Sequence, residues 1–209
     1  MTPGTLSEVL RCLRQLADAQ GARELTDGEL LERFTARRDE VAFAALMRRH
    51  GPMIWGVCRR VLRDAHLAED AFQATFLVLV RKACTIARGA SLAYWLYEVA
   101  YRTALRAKLS AARRRERERQ ATAMTDTDPL TDAQWEELRP LLDGELHRLP
   151  EKYREPFVLC YLQGKTHAEA ARLLGWAKGT VSGRLARARE LLRDRLLSAR
   201  RPTRCCVRR

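Results

Sequence analysis

The fold is decided by residues 165–189, which read KTHAEAARLLGWAKGTVSGRLARAR. This stretch predicts a short amphipathic helix, a turn at Gly175 and a second helix rich in arginine. Thr166 and Glu169 have the spacing of a capping box, and glycine readily adopts the left-handed conformation that ends a helix. Two helices joined in this way form a helix-turn-helix, whose second helix enters the major groove of DNA.

The second helix of this motif is expected to bury Val181, Leu185 and Ala188 and to expose polar and basic side chains. Arg184 is predicted to lie near the bases and Arg187 near the DNA backbone, because the N-terminal half of a recognition helix reaches deepest into the groove. The ordinary alternative is a pair of core helices with solvated arginines. The DNA contacts that we assign are Lys178, Thr180, Ser182, Arg184, Arg187 and Arg189.

The composition of the chain points to the same class of partner. Its 209 residues contain 39 Lys and Arg against 26 Asp and Glu, a net charge of +13, which favours binding to a polyanion. No run of about 18 apolar residues is present, so we predict no membrane insertion, and no signal peptide is evident. Cys58, Cys84 and Cys160 are expected to be reduced core thiols, which suits a cytoplasmic protein.

Helical spacing recurs along the chain and strand-like alternation is almost absent, so the predicted fold is all-α. We expect two small helical domains joined by a flexible acidic linker. Gly51 and Pro52 are expected to kink or break one helix of the first domain, because proline cannot donate the helical hydrogen bond. The predicted ranges are an N-terminal helical extension at 1–24, a first domain at 25–112, the linker at 113–133, a second domain at 134–198 and a basic tail at 199–209.

Aromatic and basic residues alternate on the helix predicted to begin at Ser91. Tyr94, Tyr97 and Tyr101 fall on one side of that helix, and Arg102 flanks them. This combination suits single-stranded nucleic acid, since the rings stack on bases while the cations hold the backbone. Tyrosine on a helix is more commonly a core residue, and both interpretations stay open for these three.

The helix predicted to begin at Asp64 carries a second candidate interaction surface. Asp70, Gln73 and Leu77 would share one surface of that helix. A carboxylate, an amide and an exposed leucine on a basic protein indicate a protein partner, although an ordinary solvated face has the same composition.

The sequence offers no evident catalytic set. Asp64, Glu69 and Asp70 lie at a helix start, where acidic residues are common in any case, and the four histidines are scattered. We therefore predict that the protein is not an enzyme and has no cofactor and no metal site. This argues against a DNA-processing enzyme such as a recombinase, which would need a nucleophile or a carboxylate metal cluster.

The motifs together resemble the extracytoplasmic-function (ECF) subfamily of bacterial RNA polymerase sigma factors, over about residues 25–112 and 134–198. The first domain resembles sigma domain 2 through LLERF at 30–34, AF at 42–43, AEDAFQATF at 68–76 and WLY at 95–97. The second resembles sigma domain 4 through LPEKYR at 149–154, GKT at 164–166, EAA at 169–171, LG at 174–175 and GTVSGRL at 179–185.

The resemblance implies specific partners. Core RNA polymerase would bind the Asp70–Gln73 face, with Leu77, through its clamp helices. The helix from Lys178 would read the −35 promoter element, and an anti-sigma factor is a further partner that the resemblance allows. The −10 element would be captured and melted by the loop near Thr85 and the helix after it, so that the candidate contacts are Arg88, Ser91, Tyr94, Tyr97, Tyr101 and Arg102.

The chain also departs from the family pattern. Ala74 stands where a glutamate often follows the family's DxxQ segment, and Ser182-Gly183 stands where a lysine and a serine are common. The promoter sequence therefore does not follow from the resemblance. The alternative function is a stand-alone helix-turn-helix transcriptional regulator, which would leave the tyrosines and the Asp70–Gln73 face unused.

Overall fold

The computed structural model describes residues 21, 22, 24–86, 91–121 and 143–199. Within these ranges the regular structure is helical and no strand occurs, which confirms the predicted all-α fold. Residues 1–20 of the predicted N-terminal extension, Arg88, residues 122–133 of the predicted linker and the tail from residue 200 lie outside the described residues.

The first lobe contains the helices α1 (Asp27–Arg37), α2 (Glu40–Leu62), α3 (Ala65–Lys82) and α4 (Leu92–Ala121). Thr26, Asp39 and Asp64 cap the first three helices by accepting hydrogen bonds from backbone N–H groups. The helices α2, α3 and α4 pack against one another around a buried apolar core. α4 continues to residue 121, and thus into the range predicted as linker.

Pro52 lies inside α2, which runs unbroken from Glu40 to Leu62. The expectation was that Gly51 and Pro52 kink or break this helix, and the part of it that predicts a break is wrong. Proline in a helix interior costs about 3 kcal/mol, but Met53, Ile54 and Val57 follow it closely and are almost completely buried. Burial of side chains of this size contributes roughly 1.5–3 kcal/mol each, so packing outweighs the lost hydrogen bond.

The second lobe contains a helical segment at 143–147, α5 (Glu151–Phe157), a π-helical turn at Val158–Leu162, α6 (His167–Leu174) and α7 (Lys178–Ala199). α6 begins at the Thr166–Glu169 capping box and ends at Gly175, whose φ of +65° suits a residue without a side chain. Val181 and Leu185 of α7 pack on Ala170 of α6 in a small separate core. The predicted helix-turn-helix is confirmed.

The two lobes share a buried interface. Arg60 of α2 donates to both carboxylate oxygens of the buried Asp143, at 2.6 and 3.1 Å. The Gln163 amide lies 3.2 Å from the ring nitrogen Nδ1 of His50. The apolar part of the interface places Leu146, Leu149, Val158, Ala188 and Leu192 in the same cluster as Leu96, Tyr97 and Ala100. The sequence predicted two domains on a flexible linker and did not predict this contact.

The cysteines differ in their surroundings. Cys58 lies in the core, where burial raises the pKa of its thiol to about 12. Cys160 is half-buried, and Cys84 is exposed. The prediction of a core thiol is therefore wrong for Cys84, because this residue lies in the 3₁₀ turn Ala83–Thr85, where the spacing of α3 has ended. None of the described helices has the length and apolar character needed to cross a bilayer.

Candidate nucleic-acid and protein interfaces

The side chains of α7 that were predicted to contact DNA are accessible. Five of the six are exposed, and Arg184 is half-buried. Val181, Leu185, Ala188 and Leu192 form the buried stripe of the same helix. α7 therefore presents a basic surface away from its apolar stripe, the arrangement that an amphipathic recognition helix needs. The exposed five are Lys178, Thr180, Ser182, Arg187 and Arg189.

Arg184 contacts an aromatic ring. Its Cζ atom lies 3.9 Å from the centre of the Trp176 ring, and Trp176 occupies the turn between α6 and α7. The face of an indole ring attracts a cation electrostatically. This contact was not predictable from the sequence, because it depends on the path of the turn.

Arg187 has a different environment. Its Nη1 atom lies 2.8 Å from Oε2 of Glu190, and both side chains are more than half exposed. An ion pair between exposed side chains is weak, because water and salt screen it. Arg187 can therefore leave Glu190 and bind a phosphate with little loss of interaction free energy.

The tyrosines of α4 face the second lobe. Tyr97 is completely buried, Tyr101 is 9% exposed and Tyr94 is half-buried. Burial raises the pKa of Tyr97, and the Tyr101 ring stacks on His147 with the ring centres 4.3 Å apart. For Tyr97 and Tyr101 the core interpretation therefore holds in this arrangement of the lobes, because both rings are covered by the other lobe and cannot stack on bases.

Arg154 of α5 organises the polar part of the lobe interface. Its Nη2 and Nε atoms donate to the Tyr94 hydroxyl at 2.8 and 3.1 Å, and it also donates to the main-chain carbonyl of His147. Nε lies 3.0 Å from the Glu98 carboxylate, to which Arg102 binds from the other side at 3.1 Å. Two arginines thus compensate a carboxylate that is only 8% exposed.

A groove between α4 and α5 collects several of the predicted −10 residues. Ser91, Tyr94 and Arg102 line it together with Glu98 and Arg154. The Ser91 hydroxyl accepts a hydrogen bond from the Tyr94 backbone at 3.3 Å, so this serine also caps the start of α4. The structure therefore brings three of the six predicted residues to one groove and buries Tyr97 and Tyr101 in the core.

The predicted protein-binding line on α3 is at the surface. Asp70 and Gln73 are exposed, and Leu77 is 60% exposed. Nearby, Trp55 of α2 is 41% exposed and meets Phe72 edge-to-face, with the ring centres 5.9 Å apart. Exposed leucine and tryptophan side chains on neighbouring helices provide apolar area that a partner can cover.

No group of three or more His, Cys, Asp or Glu side chains in the described ranges is placed to hold a metal ion.

Comparison with known proteins identifies the family. The model of Sigma-70 region 2 matches residues 46–117, and that of Sigma-70 region 4 matches residues 141–192. The ECF RNA polymerase sigma factor SigM of Mycobacterium tuberculosis is 32% identical over 173 residues, which cover 82% of this chain and 85% of SigM. The RNA polymerase sigma factor CarQ of Myxococcus xanthus is 34% identical, over 79% of this chain and 95% of CarQ. This chain belongs to the ECF sigma factors.

The two matched regions of this sigma factor contain the candidate surfaces described above. Region 2 begins in α2 and ends in α4, so it contains the Asp70–Gln73 face and the tyrosines. Region 4 contains the whole of α5 and α6 and most of α7. A solved structure of CnrH with the cytosolic domain of CnrY is 23% identical and covers 83% of this sigma factor and 98% of that chain, with a TM-score of 0.45.

Proposed function

We propose that this ECF sigma factor binds core RNA polymerase in the cytoplasm, recognises the −35 and −10 promoter elements and promotes promoter melting, without catalysing a reaction itself. The observation that carries the proposal is the order of two matched regions on one chain, region 2 and then region 4. A stand-alone regulator needs a helix-turn-helix but does not need region 2. An anti-sigma factor remains a further candidate partner.

Polymerase binding is assigned to α3. Asp70, Gln73 and Leu77 are exposed there, and the ECF pattern implies that this face binds the clamp helices of the largest polymerase subunit. Leu77 supplies apolar area that is costly to leave in water, while Asp70 and Gln73 supply polar partners for specificity. We predict this role for all three residues.

Recognition of the −35 element is assigned to α7. Exposed Lys178, Arg187 and Arg189 supply positive charge for phosphates. Thr180 and Ser182, on the first turns of α7, are exposed hydroxyl donors and acceptors in the part of the helix that enters the groove. Arg184 is assigned to base recognition, because an arginine can donate two hydrogen bonds to one guanine.

Capture of the −10 strand is assigned to Ser91, Tyr94 and Arg102 in the groove between α4 and α5, together with Arg88, which lies outside the described residues. Arg154 of α5 binds the Tyr94 hydroxyl, and its Cζ atom lies 5.7 Å from the centre of the Tyr94 ring, at the edge that carries the hydroxyl. We therefore expect α5 to move away from α4 before Tyr94 binds DNA. Tyr97 and Tyr101 support α4 from the core until that separation.

The test is purification of the tagged protein with core RNA polymerase, followed by sequencing of the DNA that is bound with and without core. A sigma factor is expected to co-purify with core and to select DNA with two separated elements only in its presence. A stand-alone regulator would select a single element equally well without core. That result would contradict the proposal.

A further inference from the structure

Trp176 is anchored in the turn of the helix-turn-helix. Its backbone N–H donates to the carbonyl of Ala171 at 2.9 Å, and its half-buried ring packs against the small core that contains Leu159 and Val181. Gly175, immediately before it, has the φ of +65° that fixes the direction of the turn. The ring is therefore fixed relative to α7 by both its backbone and its apolar contacts.

The contact between Trp176 and Arg184 is unusually close. The Arg184 Cζ atom lies 3.9 Å from the ring centre, whereas the other cation–ring contacts among the described residues span 5.0 to 5.9 Å. A separation of 3.9 Å is van der Waals contact across the face of the ring. Arg184 is thus held against a ring, whereas the Arg187 side chain pairs with the exposed carboxylate of Glu190.

Stacking of this kind leaves the useful part of the guanidinium available. A planar guanidinium contacts a ring through its face, while its N–H groups donate in its own plane. Recognition of guanine uses two of these donors, to O6 and N7. An arginine that is already ordered on a ring also loses less side-chain freedom on binding than a freely rotating one.

We propose that Trp176 is a positioning residue that holds Arg184 for recognition of one base pair of the −35 element. The inference rests on the proposed function, because it requires α7 to lie in a promoter groove. Trp176 itself need not touch DNA. Its effect on sequence preference is exerted through the orientation of Arg184.

Glu155 of α5 offers Arg184 a competing role. Burial raises the pKa of the Glu155 carboxyl, Glu151 raises it further, and the positive charge of Arg184 opposes them. Arg184 therefore lies within electrostatic range of Glu155. If this were the whole purpose of Arg184, its removal would change the stability of the lobe and leave the preference among DNA sequences unchanged.

The experiment uses the complete sigma factor bound to core polymerase. Duplexes that differ at single positions of the selected −35 element are compared for wild type, Trp176→Leu, Trp176→Phe, Arg184→Ala and Arg187→Ala. Thermal melting of each variant reports its folding, and Trp176→Met serves as the aliphatic variant if Trp176→Leu melts early. Arg187→Ala is the matched control, because it removes the same charge one turn further along α7.

We expect Arg184→Ala to relax preference at one base pair by about tenfold or more, and Trp176→Leu to relax it at the same base pair by about two- to fivefold. Trp176→Phe keeps an aromatic face and should retain most of the preference. Trp176→Leu should have no further effect on preference when Arg184 is already alanine. Arg187→Ala should lower affinity evenly over all duplexes.

Two results would overturn the inference while leaving the proposed function intact. One is an unchanged base preference in Trp176→Leu when Arg184→Ala relaxes it, which would show that Arg184 reads DNA unaided. The other is an even loss over all duplexes in Trp176→Leu, which would show a structural role alone. A wild-type holoenzyme without any preference in the −35 region would overturn the proposed function and this inference with it.

Discussion

Arg154 of the second lobe donates to the hydroxyl of Tyr94 in the first lobe from two guanidinium nitrogens, at 2.8 and 3.1 Å. The two residues are 60 positions apart in the sequence. The same guanidinium lies 3.0 Å from the carboxylate of Glu98, one turn further along α4. A side chain of region 4 therefore binds the hydroxyl of the tyrosine that we assign to capture of the −10 strand. Substitutions at Tyr94 test this contact directly.

Two substitutions of Tyr94 distinguish the role of its ring from the role of its hydroxyl. Tyr94→Phe keeps the ring for stacking but removes the acceptor of Arg154, so we expect promoter opening by the holoenzyme to be retained or faster. Tyr94→Ala should slow opening, because a base stacked on an aromatic ring gains about 1–3 kcal/mol. Permanganate reactivity of thymines in the −10 region measures both. Equal opening by Tyr94→Ala and wild type, with −35 binding intact, would remove Tyr94 from strand capture.

Tyr97 should behave as a core residue. Because its side chain is completely buried, we expect Tyr97→Ala to lower the free energy of unfolding by about 3–5 kcal/mol, as large-to-small changes of aromatic residues do. Urea denaturation of the free protein measures the change. Tyr94→Ala is the comparison on the same helix, and it should cost clearly less. A Tyr97→Ala protein as stable as wild type would contradict the lobe interface.

The lobe interface should respond to pH through His147. Burial lowers the pKa of His147; Glu98 opposes this shift, and Arg154 and Arg102 reinforce it. The folded protein therefore disfavours protonation of this side chain. The stability that neutral His147 contributes is fully present above the ordinary histidine pKa of about 6.5. It is lost as the pH falls below that value and through the lowered pKa of the folded protein.

Urea midpoints at about pH 7.5 and about pH 5.5 measure this effect. Wild type should lose more stability over the interval than His147→Asn, which cannot be protonated. Asp143 changes the stability in the opposite sense, because burial raises the pKa of its carboxyl more than the pairing with Arg60 lowers it. Wild type and His147→Asn both contain Asp143, so its effect cancels when the two proteins are compared. Parallel pH profiles for the two proteins would remove His147 from the response.

Asp70 tests the polymerase-binding face. Asp70→Lys reverses the charge on an exposed side chain, so we expect weaker binding to core polymerase with unchanged helicity. Glu69→Lys makes the same change of charge at the adjacent exposed position of α3, which points to a different side of the helix, and should leave binding near wild type. Competition for core against an unmodified sigma factor measures both. Equal losses for the two variants would indicate a general charge effect instead of a specific face.

Local features of the fold were predictable from the sequence because they depend on neighbouring residues. The helix start at Asp64, the cap at Thr166 and the stop at Gly175 are each decided within a few positions. The exposure of Asp70 and Gln73 also followed from helical spacing alone. A break at Pro52 was expected as one possible outcome and does not occur. The local propensity of proline does not include the burial of neighbouring side chains by distant helices.

The lobe interface could not be predicted in this way. Arg154 meets Tyr94, and Arg60 meets Asp143, only after the chain has brought distant segments together. One signal was present in the sequence: Ala93, Ala100 and Ala104 accompany the tyrosines on α4, and all three are buried. Small residues on one side of a helix let another element approach closely, so a covered face was the better interpretation for Tyr97 and Tyr101.

The shared core also has a consequence for how the protein responds to heat. Domains on an independent tether melt separately, whereas Leu146 and Leu149 of the second lobe lose their packing partners as soon as the first lobe unfolds. A calorimeter should therefore record one cooperative transition for the free chain. A fragment that contains one lobe alone would expose to water the apolar surface that the other lobe covers. Its tendency to aggregate would measure how far the stability of each lobe depends on the other.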